Sequence, residues 1–416
     1  MKKNKFNWNL YISLLCLSFI PTIYETVKIF FINSSETSLN VLSQIEWFDL
    51  IDEILITFLT IPLYAVLGKY KENQEEFKTK IFQSFIFCIS IYFIFSIIVY
   101  LNALHLVSFM NASDVSQTVQ YLRLETIAFM IRIIYTFFSV VFIIIGKAKY
   151  IYLFLTVKMF GLIISDFILI QKFGTFGVAY ANILVNSLLA ICSTCLILKE
   201  KFMKITFKNL IDISFLKEWF KIGIFVGIQI FLDNWIYAIM VCKMVNAVAK
   251  QADYWIANTF IWSWLLVPCT CLADIIKKDA EEKQTKNQLN NYFKIIFGII
   301  LIWIISIPMW QKFFTTFMNI QNTQDILNIV LKLLPFYVFY LFAALFDNIF
   351  YGLGKTQLNM IISIIVNIGY YGIIYILFKH NFFTLNLNFI IYMFGFGMII
   401  HFIIGLIFFI KLKKNL

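Results

Sequence analysis

Acids and bases stand in this chain where an apolar run should hold none. Glu25, Asp166, Asp233 and Asp347 each interrupt a long hydrophobic stretch, with Asp49, Asp52, Glu53 and Asp274 nearer the ends of such stretches. Arg132, Lys158 and Lys332 are the basic counterparts. A charged side chain at mid-membrane costs about 2.5–3.5 kcal/mol on insertion scales, so a use is expected for each. A carboxylate turned inward can bind a proton or a sodium ion, and its occupancy then alters how helices pack. It can also be half of a plain internal salt bridge. Glu25, Asp166, Asp233 and Asp347 are read as the cation-binding set. Asp49, Asp52 and Glu53 are read as caps on the outer end of the second span, since carboxylates suit a helix N-terminus. Arg132, Lys158 and Lys332 either neutralise these acids or meet an anionic substrate. With Trp235 and Tyr340 they form the candidate substrate-cleft set, and Tyr237, Trp255, Trp262, Trp264, Tyr337 and Tyr351 add aromatic surface suited to apolar or cationic molecules.

The elements that must position these groups follow from composition. Of 416 residues, 61% are hydrophobic and 14% charged, with mean hydropathy +0.84. Soluble chains carry roughly 45–50% apolar and about 25% charged residues, so a soluble enzyme and a disordered chain are both excluded. A spanning helix needs about 20 apolar residues, and the runs resolve into twelve, the seventh over 222–245 and the eighth over 253–276. They lack the apolar/polar alternation of barrel strands. The fold class is an all-α membrane protein of twelve transmembrane helices.

The formal charge of +11 comes from lysines in the gaps between runs, not from a basic face laced with aromatics, so nucleic acid is not an expected partner. Those lysines cluster at the N-terminus, in the even-numbered loops and at Lys411, Lys413 and Lys414. Positive loops stay on the cytoplasmic side, which puts both termini there. The expected location is a bacterial inner membrane. The seven cysteines lie in or beside apolar runs and read as small buried hydrophobes. Cys192 and Cys195 have no second pair to complete a zinc site, and no metal beyond a sodium ion is expected. A phosphate-binding loop ending at Gly354-Lys355-Thr356 would need a glycine where Ile349 stands, so no nucleotide is expected. No nucleophile–base arrangement accompanies the acids, so the chain does not read as an enzyme.

The chain also repeats. Gly146-Lys147 lies 208 residues before Gly354-Lys355, Glu25 maps onto Asp233 at the same offset, and Pro62 and Pro268 are 206 apart. Two lobes follow, 1–198 and 222–416, joined by a cytoplasmic amphipathic linker over 199–221. Such a repeat implies a pseudo-two-fold along the membrane normal, with a central cleft opening to either side in turn.

At these residues the sequence resembles the multidrug and toxic compound extrusion (MATE) transporters, within the wider superfamily that includes lipid-linked oligosaccharide flippases. Tyr24-Glu25-Thr26 is similar to the family's Val-Asp-Thr, and Asp166 through Gly174 with Phe176-Gly177-Val178-Ala179 resembles its fifth-span pattern. Gly223 followed by Asp233 resembles the seventh span, and Gly354-Lys355-Thr356 the turn after the tenth. The span-ten acid is displaced: Phe342 stands at its place, with Asp347 offset, and Leu162 replaces a common asparagine. The resemblance implies a cation-coupled antiporter, driven by protons or sodium, that exports small amphipathic or cationic molecules by rocking of its lobes. It implies no cofactor, a small-molecule substrate, membrane lipid as surroundings and a monomer. The alternative is a flippase for a lipid-linked oligosaccharide or other anionic lipid-linked substrate, with Arg132, Lys158 and Lys332 on its diphosphate.

Overall fold

The structure, a computed structural model, describes residues 6–34, 39–205, 212–281 and 285–413. Every regular element among them is helical. Among the described residues eleven helices are long and apolar enough to cross a bilayer, and the bent pair Gln251–Leu265 with Val267–Ala280, taken as one span, makes twelve. In chain order they are α1 (Trp8–Ser34), α2 (Glu46–Gly68), α3 (Gln74–Phe109), α4 (Val115–Ile145), α5 (Ala148–Phe173) and α6 (Phe176–Lys199). After them come α7 (Ile213–Tyr237), α8 (the bent pair), α9 (Thr285–Phe317), α10 (Thr323–Gly352), α11 (from Thr356–Ile364 to Gly372–Lys379) and α12 (Leu387–Lys413).

Side chains close the helix ends. Asn73 accepts from the Glu76 amide at the start of α3, and Asp114 from the Gln117 amide at the start of α4. The first four amides of a helix have no partner within it, and a short oxygen-bearing side chain supplies one. Two bends have clear causes. In α8 the axis turns by 49° between Leu265 and Val267, just before Pro268, which cannot donate a backbone bond. Widened π-helical turns interrupt α8 at Ile261–Leu265 and α11 at Ile365–Tyr371.

The repeat expected from the sequence has a local structural counterpart. After α4, Gly146 takes φ +81°, and its amide and that of Lys147 donate to Ile143 O and Phe142 O at 2.9 and 2.8 Å. After α10, Gly354 takes φ +68°, with Gly354 and Lys355 donating to Tyr351 O and Phe350 O at 3.0 and 2.8 Å. All of these atoms repeat at the same 208-residue offset. Left-handed φ is strained for a residue with a Cβ, so glycine holds both turns. Gly352 answers to a packing need instead, since a Cβ there would lie 2.3 Å from Lys277 O of α8.

The compact units divide the chain differently from the expected lobes. One unit comprises residues 34–238, and the other 1–33 with 239–416. Span one therefore belongs with the later helices, while the boundary at 238/239 cuts the seventh candidate span, Gly227–Ala247, and leaves its α7 part with the earlier ones. In the first unit α4 packs along α6, α3 along α4, and α2 along α7. In the second, α10 packs against α12 and against the C-terminal part of α8.

The start of α7 shows why that helix joins the first unit. The linker expected to be an amphipathic helix has no helix over 202–205, its residues 206–211 lie outside the described residues, and α7 begins at Ile213 instead of 222. Asp212 caps it, accepting from the Ser214 and Phe215 amides at 3.0 and 3.2 Å. The same carboxylate binds Lys80 of α3 at 2.5 Å, and the buried Lys80 lies over the Phe215 and Tyr70 rings. The Lys80 ammonium, then the Ser214 hydroxyl and the Phe215 amide, hold the Asp212 carboxyl below the usual carboxylate range. A lowered folded-state value contributes stability above the unfolded value of about 3.9 and loses it as pH falls further. Asp212→Ala is therefore expected to cost about 1–2 kcal/mol at neutral pH. Thermal melting in detergent should show that deficit intact at pH 5 and narrowing below the unfolded value.

The cysteines follow the expectation only in part. Cys88, Cys242, Cys269 and Cys271 are buried, whereas Cys16, Cys192 and Cys195 lie exposed on their helices. An apolar run does not distinguish a face turned to neighbouring helices from one turned to lipid.

Candidate ion-coupling site

A buried polar network runs through the first unit. On α2, Asp52 is 2% exposed. The Arg132 guanidinium from α4 pairs with its Oδ2, and the Tyr92 hydroxyl from α3 donates to its Oδ1. Arg132 also lies over the Phe129 ring at 4.1 Å, and Phe129 stacks on Phe48 at 5.1 Å. Asp52 is thus an interior partner of Arg132, and only Glu46 and Asp49 occupy the first turn of α2. The expected cap role is corrected at this residue for a physical reason: six residues into the helix, its side chain points at α3 and α4. Glu53 departs from that role too, its Oε2 accepting from Asn234 Nδ2 of α7 at 3.0 Å.

The second part of the network is Glu125, 3% exposed on α4. Tyr121, one turn earlier, donates its hydroxyl to Oε1 at 2.9 Å. Asn182 of α6 donates Nδ2 to Oε1 and Oε2 at 2.9 and 3.2 Å. Glu125 and Arg132 are seven residues apart, so they share a helix face about 10 Å apart along the axis. Asp166 of α5 is 1% exposed. The ion pair and hydrogen bonds of the network join α2, α3, α4 and α6. Adding a proton to Glu125 would turn one of its oxygens into a donor and leave the other to accept from Tyr121 and Asn182.

Sequence reasoning singled out Asp166 and Arg132 here and passed over Glu125, Asn182, Tyr121 and Tyr92. A signal was present. Glu125 lies inside the fourth apolar run, and its spacing from Tyr121 and Arg132 is the four-and-seven pattern of one helix face.

The remaining candidates fall elsewhere. Asp233 is on α7, partly exposed, next to Asn234, which donates to Leu50 O at 3.0 Å. Trp235 stacks on Phe231 at 5.8 Å and is 39% exposed. Lys158 lies over the Tyr135 ring at 6.0 Å. In the second unit, Glu25 forms an ion pair with Lys28 one turn on at 2.5 Å, so a cation arriving there meets a resident ammonium. Lys28 also lies over the Tyr24 and Trp255 rings. Asp347 Oδ2 meets His401 Nε2 of α12 at 2.8 Å, and its backbone carbonyl accepts from Asn359 at 3.1 Å. His401 is thus the partner of a candidate acid. Lys332 donates to Asn388 at 2.6 Å.

The aromatic candidates of the second unit converge. Trp262, in the π-helical turn of α8, meets Tyr340 at 5.5 Å and 68° and Tyr337 at 6.4 Å and 88°. Tyr337 and Tyr340 are 5.8 Å apart. Trp264, two residues on, points the other way and donates to Thr26 of α1 at 3.0 Å. Trp262 stays 40% exposed.

No protein-family model and no curated protein matches the sequence. Solved structures do match. The inward-facing conformation of a multidrug resistance MATE family transporter of the MOP superfamily aligns over 97% of this chain and 98% of its own, with TM-score 0.78 at 17% identity. The fold is that of the MATE transporters. The outward-facing conformation of a MATE family transporter aligns over 98% and 96%, with TM-score 0.67 at 16% identity. A MOP superfamily transporter from Pyrococcus furiosus, described by the reversed polarity of its binding pocket, aligns over 96% and 93%, also with TM-score 0.67 at 16% identity. Of the positions to which the MATE resemblance pointed, Asp166 is the fully buried acid, and Glu25 belongs to the other compact unit of the MATE fold.

Proposed function

We propose that this protein is a proton-coupled antiporter that exports small amphipathic or cationic molecules across a bacterial inner membrane, as a monomer with both termini cytoplasmic. The observation that carries the reading is Glu125, buried in a membrane helix and held by Tyr121 and Asn182 across α4 and α6. Protonation exchanges a hydrogen-bond acceptor for a donor there, and so biases one arrangement of α4 against α6 over another. A proton fits this arrangement, in which Glu125 already accepts from Tyr121 and Asn182. Asp347 with His401 supplies a second titratable pair, in the other unit. Inward- and outward-facing states are known for the MATE neighbours, which supports alternating access by rocking of two lobes.

For the substrate, Trp262, Tyr337 and Tyr340 offer aromatic faces suited to an organic cation. The flippase reading is not favoured, because Arg132 is bound to Asp52, Lys332 to Asn388, and Lys158 faces Tyr135. The test is uptake of a cationic dye into inverted proteoliposomes acidified inside. Accumulation is expected to collapse with a protonophore. Uptake indifferent to both proton and sodium gradients would overturn the reading. Trp262→Ala should raise the dye concentration for half-maximal transport by about two- to thirtyfold, the range of a lost cation–π contact. An unchanged value in both Trp262→Ala and Tyr340→Ala would remove the aromatic surface from the substrate path.

A further inference from the structure

Between α3 and α4 of the first unit lies a cavity of about 170 Å³, lined by Ser96, Ile97, Tyr100 and Leu101 on one side and Thr126, Ile127 and Met130 on the other. Its lining exposes apolar surface alone. It opens past Ile97, Leu101 and Ile127, which are 42%, 70% and 38% exposed and in a bilayer touch acyl chains. Two polar features break this pattern. The Ser96 hydroxyl is buried in the lining without a hydrogen-bond partner among the described groups. Arg123 stands one turn before Ile127 and two before Met130, so it shares their helix face at the end of the groove nearer the α3–α4 connection. Its guanidinium lies 5.3 Å from the Tyr100 ring centroid, and its Nε donates to Tyr100 O at 3.3 Å. That bond uses one of five N–H donors on a planar fork shaped for phosphate.

We propose that this groove holds an acyl segment of an anionic phospholipid whose phosphate rests on Arg123. Charge and shape meet in the order a lipid presents them, a cation toward the membrane surface and an apolar slot below it. An arginine that merely reached for the interface would need no slot beneath it, and a slot filled by any lipid tail would need no arginine. This binding is separate from the transport reading, since neither Arg123 nor the slot belongs to the proton network or the aromatic cluster.

The test is native mass spectrometry of the purified, delipidated protein titrated with phosphatidylglycerol or phosphatidylethanolamine. The parent is expected to retain phosphatidylglycerol in preference, and Arg123→Ala to reduce that retention about fivefold. Arg123→Lys should keep most of it. Ile127→Trp, which fills the slot and leaves the charge, should reduce retention of both lipids. Equal retention of the two lipids by the parent, or unchanged phosphatidylglycerol retention in Ile127→Trp, would overturn the proposal, and so would indifference to Arg123→Ala. A melting temperature for each variant shows that it is folded, and the two substitutions address the charge and the slot independently.

Discussion

Arg132→Ala is expected to destabilise the protein by about 3–5 kcal/mol, the cost of leaving one member of a buried ion pair alone. Asp52 is 3% exposed at its side chain and Arg132 22%, so water can do little to compensate. Tyr92 would remain on Asp52 Oδ1, but a neutral hydroxyl cannot balance a full charge in a low-dielectric interior. The double variant Asp52→Asn/Arg132→Ala should recover much of the loss, because the amide no longer needs a counter-ion. Unfolding in mixed micelles, followed by circular dichroism, measures both. Equal losses in the single and double variants would mean that Arg132 matters for its packing over Phe129 rather than for its charge.

Glu125→Gln is expected to leave the protein folded and to abolish coupling. Glutamine keeps the shape and still accepts from Tyr121 and Asn182 through its carbonyl oxygen, but it cannot gain or lose a proton. One proton exchanged for one monovalent cation moves no net charge, so a gradient of one pH unit supplies about 1.4 kcal/mol, or roughly tenfold accumulation. That accumulation should vanish in Glu125→Gln vesicles while downhill dye movement continues. Dye uptake against its gradient in Glu125→Gln, at the parent's level, would place the coupling proton elsewhere, with Asp347 and His401 the next pair to change.

How much of this was legible beforehand depended on whether a feature is written along the chain or across it. Hydropathy runs along the chain, so the spans and the 208-residue repeat were readable, down to the matched glycine turns at Gly146 and Gly354. Partnerships lie across it. Asp52 looks like a cap because three acids gather near one helix start, and only the arrival of Arg132 and Tyr92 from two other helices makes it an interior ion. Asp347 and His401 are 54 residues apart on helices whose facing registers no single run encodes. Glu125 is the instructive omission, because its periodicity with Arg132 was on the page and the signal was simply weaker than mid-run position. The compact units are not legible along the chain for the same reason: apolarity says that a helix will be covered, not by which neighbours.

The exchange of α1 and α7 between the units also bears on how the protein is made. α1 ends at Ser34, but the rest of its unit starts only at residue 239. At about 5–20 residues per second, that interval is roughly 10–40 s. Throughout it the newborn α1, with Glu25 and Lys28 already in the bilayer, must be sheltered by lipid or by the insertion machinery. Residues 34–238 hold one unit by themselves, whereas α1 meets its neighbours only once the chain beyond residue 238 has been made.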